Sequence, residues 1–273
     1  MDANKFVTDG NNITDLSSGN IQLLFHYATE NFYTKKRVVI SDLPYQTNRM
    51  NLRFPSIIQL YYVENIDNEL EFYQEFFPNG DLKNFTKNNC IVTEDIARFF
   101  YQCARGLQYL HKNGYIHRDI SPRNIFIDIN RNASLGDLEY STNNPDASSR
   151  IISKYSAPEI KEVPNTKKSD IYSIGATFGK YILKYLEDDD LKNEFLNIVS
   201  QTKAEEPDNR ISADELVGQI EDLLKKNGMQ SIIDEFECRI EPCQNNYTFC
   251  RLDDIKGIRD NQFIQEIVSK ALD

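Results

Sequence analysis

At Thr93 the hydrophobic rhythm of this chain changes period, and that change limits the folds open to it more than any other feature. Before it, apolar residues gather in short runs rich in Ile, Val, Leu, Phe and Tyr: 20–28 (NIQLLFHYA), 36–41 (KRVVIS), 56–64 (SIIQLYYVE) and 69–77 (ELEFYQEFF). Turns carrying Asn, Asp and Gly separate them, as between β-strands. After it, Ile96, Phe99, Phe100, Cys103, Ala104, Leu107 and Leu110 share one helical face, with Glu94 and Asp95 in the first turn and Gly114 as the stop. Ile125, Ile127 and Ile129 then alternate into an Asn-Arg-Asn turn, which predicts a small hairpin. Residues 169–183 are apolar nearly all round and predict a buried helix. Ser212-Ala-Asp-Glu is a capping box opening a helix that faces Leu216, Ile220, Leu223 and Leu224 inward. Two more apolar patterns follow, around Ile232, Ile233 and Phe236 and around Ile264, Ile267, Val268 and Leu272. A β-rich first third and a helical remainder predict an α+β fold of two lobes.

Composition narrows the partners. With 31 basic and 42 acidic side chains the net charge is −11, which argues against nucleic acid as the main partner. Cys90, Cys103, Cys238, Cys243 and Cys250 are too few and too scattered for a disulfide scaffold, and no Cys-x-x-Cys pair occurs, so free thiols in a reducing compartment are expected. No apolar run approaches the roughly 20 residues of a membrane span, and the first residues lack a secretory pattern. An intracellular, cytoplasmic protein without a membrane span is the expectation.

The polar residues concentrate in 114–128, GYIHRDISPRNIFID, just before the alternating isoleucines. His117-Arg118-Asp119-Ile120-Ser121-Pro122-Arg123-Asn124 resembles the catalytic loop of protein kinases, H-R-D-L-x-x-x-N, with Ile for Leu. Asp137 in SLGDLEYS stands where that family has its metal-binding D-F-G, and Tyr155-Ser-Ala-Pro-Glu159 resembles the A-P-E closing the activation segment. Ser169-Asp-Ile-Tyr-Ser-Ile-Gly175 is similar to the buried helix that follows, and Arg210 matches the basic residue that pairs with the A-P-E Glu. The resemblance spans residues 16–226. It implies a bilobal kinase-like fold: an N-terminal extension (1–15), a small β-rich N-lobe with a reduced helix (16–77), a larger α-helical C-lobe (78–226) and a helical tail (227–273). It further implies Asp119 as base, Asn124 and Asp137 as Mg²⁺ ligands, and Arg118 as anchor for a phosphate on Thr142, Ser148, Ser149 or Ser153. A Glu159–Arg210 salt bridge follows from the same match.

Upstream the resemblance thins. Against the family's Gly-rich loop the sequence keeps Gly19, with Ser17 and Gln22 at the outer glycine positions and Leu24 following. Val38-Val39-Ile40-Ser41 resembles V-A-I-K with Ser41 at the phosphate-holding Lys; Lys35 or Lys36, a few residues upstream, either substitutes for it from a different angle or is an ordinary surface lysine. Residues 43–63 hold no Asp or Glu, so the Lys–Glu pair expected of the family lacks both partners. Residues 72–82 resemble a kinase hinge, with the backbone of Glu75 and Phe77 placed for a purine edge. ATP and Mg²⁺ are the implied cofactors, and a protein substrate or signalling partner the implied company. Two readings stay open: a slow ATP-dependent protein kinase, and a pseudokinase serving as a nucleotide-binding or scaffolding module. Ser121 stands where Ser/Thr-specific members carry Lys, while Arg123-Asn124 resembles Tyr-specific ones, so the acceptor is ambiguous.

Overall fold

The computed structural model describes residues 14–17, 20–26, 31–39, 52–143, 152–245 and 250–251. Strands β1 (Thr14–Ser17), β2 (Ile21–His26), β3 (Asn31–Val39), β4 (Leu60–Ile66) and β5 (Glu69–Glu75) form an antiparallel sheet in the order β1-β2-β3-β5-β4. Alternation sends Leu24, Tyr33, Tyr61 and Tyr73 to one face, where they pack together, Tyr33 and Tyr61 edge to face at 5.4 Å. Strand β3 starts at Asn31, earlier than the run 36–41 suggests. Phe32 and Tyr33 are buried there, and the polar Lys35-Lys36 pair that hides the strand in sequence lies mid-strand. β1 likewise begins at Thr14, within the expected extension.

The helical lobe is built around α2 (Thr93–Lys112), which the change of period predicts. Phe99, Phe100, Leu107 and Leu110 on its inner face are fully buried, and Phe100 stacks on Phe178 at 4.3 Å. Each such side chain contributes roughly 1.5–3 kcal/mol through burial. Before α2 lies α1 (Leu82–Asn88), capped by Asp81, whose side chain accepts from the Asn84 backbone N–H at 2.7 Å. After it comes the hairpin β6 (Ile125–Ile127) and β7 (Ala133–Leu135), then α3 (Lys167–Thr177), α4 (Asp189–Thr202) and α5 (Ala213–Lys226). Helix α3 passes into a π turn over Phe178–Ile182, so the helix expected over 169–183 exists but loosens toward its end. Gly175 lets α4 come close: a Cβ there would lie 1.7 Å from Thr202 Oγ1. The Ser212 capping box forms as expected.

The tail continues as α6 (Gln230–Glu237) and α7 (Ile240–Asn245). Phe236 enters the main core beside Phe54 and Tyr101, while Arg98 and Arg105 of α2 reach Glu235 and Glu237. Strand β8 (Cys250–Arg251) pairs antiparallel with the start of β3. The pattern around Ile264 lies outside the described residues. Cys90, Cys103, Cys238 and Cys243 are free thiols, and among the described residues no helix is long and apolar enough to cross a membrane.

Candidate active site

A cavity of about 440 Å³ opens between the sheet and the helical lobe. Ile21 and Thr34 line it from the strands, Ile58 and Phe126 supply apolar walls, and Glu75, Phe76 and Phe77 run along the segment joining the lobes. Lys36, Asn124 and Asp137 bring charge and polar oxygen to the same cavity. Gln74, Asp81, Asn84 and Arg123 complete a lining in which apolar walls meet convergent polar groups, a form that suits a small polar ligand.

Asp170, deep in α3, holds the loop beneath. Its Oδ2 accepts from the His117 backbone N–H at 2.7 Å and from His111 Nε2 at 3.0 Å, and its Oδ1 accepts from the Arg118 N–H at 2.8 Å. These bonds offset the cost of a left-handed Arg118, at φ 76°. Asn124 Nδ2 donates to Asp119 twice, to Oδ2 at 2.7 Å and to the backbone oxygen at 2.8 Å. Gly136 N–H donates to the Asn124 carbonyl at 2.9 Å, tying the loop to the residue before Asp137. A Cβ on Gly136 would meet the Phe126 ring at 2.6 Å. Asp137 is itself left-handed, at φ 59°. Burial raises the Asp119 carboxyl above the usual range and Asp137 adds to the shift, while His117, Asn124 and Lys36 oppose it.

One cation of the cavity comes from the middle of β3. Lys36, which the sequence leaves open as a substitute lysine or a surface one, lines the cavity, bonded to Asp137 Oδ1 and 3.5 Å from Glu139 Oε2. Burial works against the charged ammonium, but Glu139 and Asp137 together win and raise its pKa. Ser41 lies outside the described residues, as do Gly19 and most of the stretch between Ser41 and Phe54; Ser17 closes β1. Leu24 is corrected too. It is buried among Tyr33, Tyr61 and Tyr73, and Ile21 lines the cavity instead, because residues three apart on a strand face opposite ways. Glu75 and Phe77 line the cavity. Thr142 is buried, its backbone paired with Ile116, so it is a poor acceptor for a phosphate; Ser148 and Ser149 lie outside the described residues.

The residues that close the activation segment also meet. Arg210 Nη1 and Nη2 donate to Glu159 Oε1 and Oε2 at 2.6 and 2.9 Å, the salt bridge that the resemblance implies.

Comparison with known proteins decides the family. A family model described as protein kinase domain matches residues 35–227, well over half of the chain. The chain belongs to the protein kinase family. Among curated kinases it is 42% identical over 89 residues to serine/threonine-protein kinase CBK1 of Debaryomyces hansenii, covering 32% of this chain and 12% of that protein. It is 30% identical over 131 residues to the Aurora kinase of Eremothecium gossypii, covering 46% of this chain and 36% of the relative. The matched part of the chain thus spans well under half of these relatives' length.

As a kinase-family cavity the site has a donor set that fits Mg²⁺. The Asn124 amide nitrogen is committed to Asp119, leaving its carbonyl oxygen as acceptor, and Asp137 adds a carboxylate. Two hard oxygen ligands suit a cation that keeps waters and phosphate oxygens for its other positions. Among the described residues no cluster of three or more His, Cys, Asp or Glu forms an all-protein metal cage. Sequence reading missed Asp170 as the loop's anchor and the cavity-lining Thr34 and Ile58, and left Lys36 as one of two alternatives. Lys36 was discoverable: it follows Thr34 at the spacing of the second and fourth residues of V-A-I-K.

The cavity wall carries a pH-sensitive group. Burial pushes the Glu75 carboxyl up to about 8, against the Gln59 backbone N–H that donates to it at 3.4 Å. The folded chain therefore keeps a proton that the unfolded chain, at a pKa of about 4.3, releases. Stability from this group is complete below the unfolded value and is lost as pH climbs through the folded one. Calorimetry from pH 5 to 8 should show a falling melting temperature, and Glu75→Gln should remove much of that slope; an unchanged slope would contradict the assignment.

Proposed function

We propose that this chain transfers the γ-phosphoryl group of Mg-ATP to hydroxyls of protein substrates. The observation that carries the reading is the meeting of Lys36, Asn124 and Asp137 in one cavity, with Asp119 bonded to Asn124 at its edge. Asp119 accepts or orients the proton of the attacking hydroxyl, and its raised pKa brings it closer to a useful base. Lys36 holds phosphate oxygens as a point charge. The backbone of Glu75 and Phe77 faces the purine edge, with Ile21, Ile58 and Phe126 enclosing the ring. Asn124 and Asp137 would hold Mg²⁺, which supplies charge neutralisation on the phosphates when bound. Arg118 is the anchor for a phosphate on the activation segment, with Ser153 the half-buried acceptor among the described candidates.

The CBK1 relatives are named serine/threonine-protein kinases, which puts Ser and Thr hydroxyls ahead of Tyr as acceptors. Transfer is expected to be slow, because Ser17 and Gln22 replace glycines that would let a bare backbone reach the phosphates. The test pairs two measurements on the full chain. ATP with Mg²⁺ should raise the melting temperature, since a ligand that binds only the folded state stabilises it. Label from γ-labelled ATP should then appear on a mixed protein substrate, on Ser or Thr by hydrolysis and residue analysis. A melting shift without label would favour the second reading, a nucleotide-binding scaffold; neither response would reject both.

A further inference from the structure

We infer that Glu139 is the residue that positions Lys36, taking over from inside the activation segment the task that an acid on a helix between β3 and β4 would perform. This rests on the reading of the cavity as a nucleotide site. Three observations carry it. First, residues 43–63 contain no Asp or Glu, so no helix in that stretch can offer a carboxylate. Second, the acids on the neighbouring strand are engaged elsewhere: Glu71 by Lys35 and Arg37, and Glu69 by Arg37. Third, Glu139 stands in the 3₁₀ turn Leu138–Tyr140 directly after Asp137, with its side chain only 3% exposed and Oε2 3.5 Å from Lys36 Nζ.

The division of labour follows from charge. Lys36 has two acidic partners, Asp137 and Glu139. Asp137 is also the candidate ligand of a divalent cation, and a carboxylate that neutralises a metal ion attracts an ammonium less. A lysine on a flexible four-carbon stem then needs another anchor to stay at the cavity wall. Glu139 is that anchor. It is buried, so water screens the pair little, and its backbone is fixed by the same turn that places Asp137. Replacing glycine by glutamate at the third position of the D-F-G site thus restores a counter-charge lost elsewhere, and the pair forms without movement of a separate helix. The nearness of the ammonium also separates this role from that of a metal ligand: Lys36 occupies the cation's place beside Oε2.

Calorimetric titration with ATP, in EDTA and again with Mg²⁺, tests it through a double-mutant cycle. Glu139→Gln keeps shape and should weaken binding of ATP with Mg²⁺ by about tenfold, and weaken Mg-free binding less, since Asp137 then still holds Lys36. In a Lys36→Met background the same change should cost nothing further, because a positioning residue acts only through what it positions. Asp42→Asn, removing the acid nearest the end of β3 in sequence, should leave affinity unchanged. In enzyme assays Glu139→Gln should raise the KM for ATP more than it lowers kcat. The inference falls if Glu139→Gln leaves or improves affinity for ATP with Mg²⁺, if it acts equally with and without Lys36, if its effect is larger in EDTA than with Mg²⁺, or if Asp42→Asn reproduces it. Melting curves of each variant distinguish these from misfolding, since a destabilised Glu139→Gln that binds like the wild type also overturns it. A wild-type chain that binds no ATP rejects the nucleotide reading itself, whereas a wild type that binds beside an indifferent Glu139→Gln rejects this inference alone.

Discussion

Asp119→Asn should lower phosphoryl transfer by about 10²–10⁴-fold while leaving ATP affinity and melting temperature nearly unchanged. The rate falls because an amide cannot take the proton of an attacking hydroxyl. Affinity survives because Asp119 is not among the residues that line the cavity. The fold survives because Asn124 Nδ2 can donate to an amide oxygen at position 119 as it now donates to Oδ2, at 2.7 Å, and its second bond goes to backbone. Burial already penalises the charged carboxylate, so a neutral side chain removes a cost rather than adding one. The measurement is label transfer at saturating ATP, with binding determined separately. If wild type and variant incorporate equal label, that label is not enzymatic and the protein is better read as a scaffold.

The C-lobe part of this site was legible from sequence because its residues lie close along the chain. Asp119 and Asn124 sit five positions apart in one loop, and Asp137 follows a hairpin whose alternating isoleucines announce themselves. A spacing preserved in one segment survives into the fold as a spacing in space. The N-lobe part was not legible, for a strand reason. Shifting a strand's register by one residue exchanges its two faces, and β3 carries Lys35, Lys36 and Arg37 in succession. Matching Val38-Val39-Ile40 to the apolar positions of the kinase pattern leads to Ser41, which lies outside the described residues, whereas Lys36 lines the cavity. The same ambiguity moved Leu24 to the wrong face. Glu139 shows a different limit: its partner is 103 positions away in sequence (139 − 36), and only the packing of lobe on lobe brings the two together.

Arg210→Ala should destabilise the folded chain by about 3–5 kcal/mol, the cost of breaking a buried ion pair from one side. The Arg210 side chain is 0% exposed and that of Glu159 19%, so the pair is desolvated mainly on the arginine's side. Besides Glu159, the guanidinium donates to the carbonyls of Ala204 at 2.9 Å, Lys168 at 3.1 Å and Glu205 at 3.3 Å, and lies over the Tyr172 ring at 5.0 Å. Truncation empties that volume and strands three acceptors at once. Glu159→Gln should cost less, about 1–3 kcal/mol, since the three carbonyls still satisfy part of the guanidinium and the amide keeps one acceptor. Arg210→Lys should fall nearer to Ala than to the wild type, because a single ammonium cannot match the two-pronged contact. Acid dependence gives an independent check. Burial alone would raise the Glu159 carboxyl, but Arg210 holds it below the usual range. The stabilisation is therefore complete above the unfolded value of about 4.3 and is lost as pH falls through the lower folded value. Urea unfolding at pH 7 and pH 3 should show the penalty of Arg210→Ala shrinking in acid, and a penalty independent of pH would mean that packing and the carbonyl bonds, not the ion pair, hold the end of the activation segment to the helical lobe.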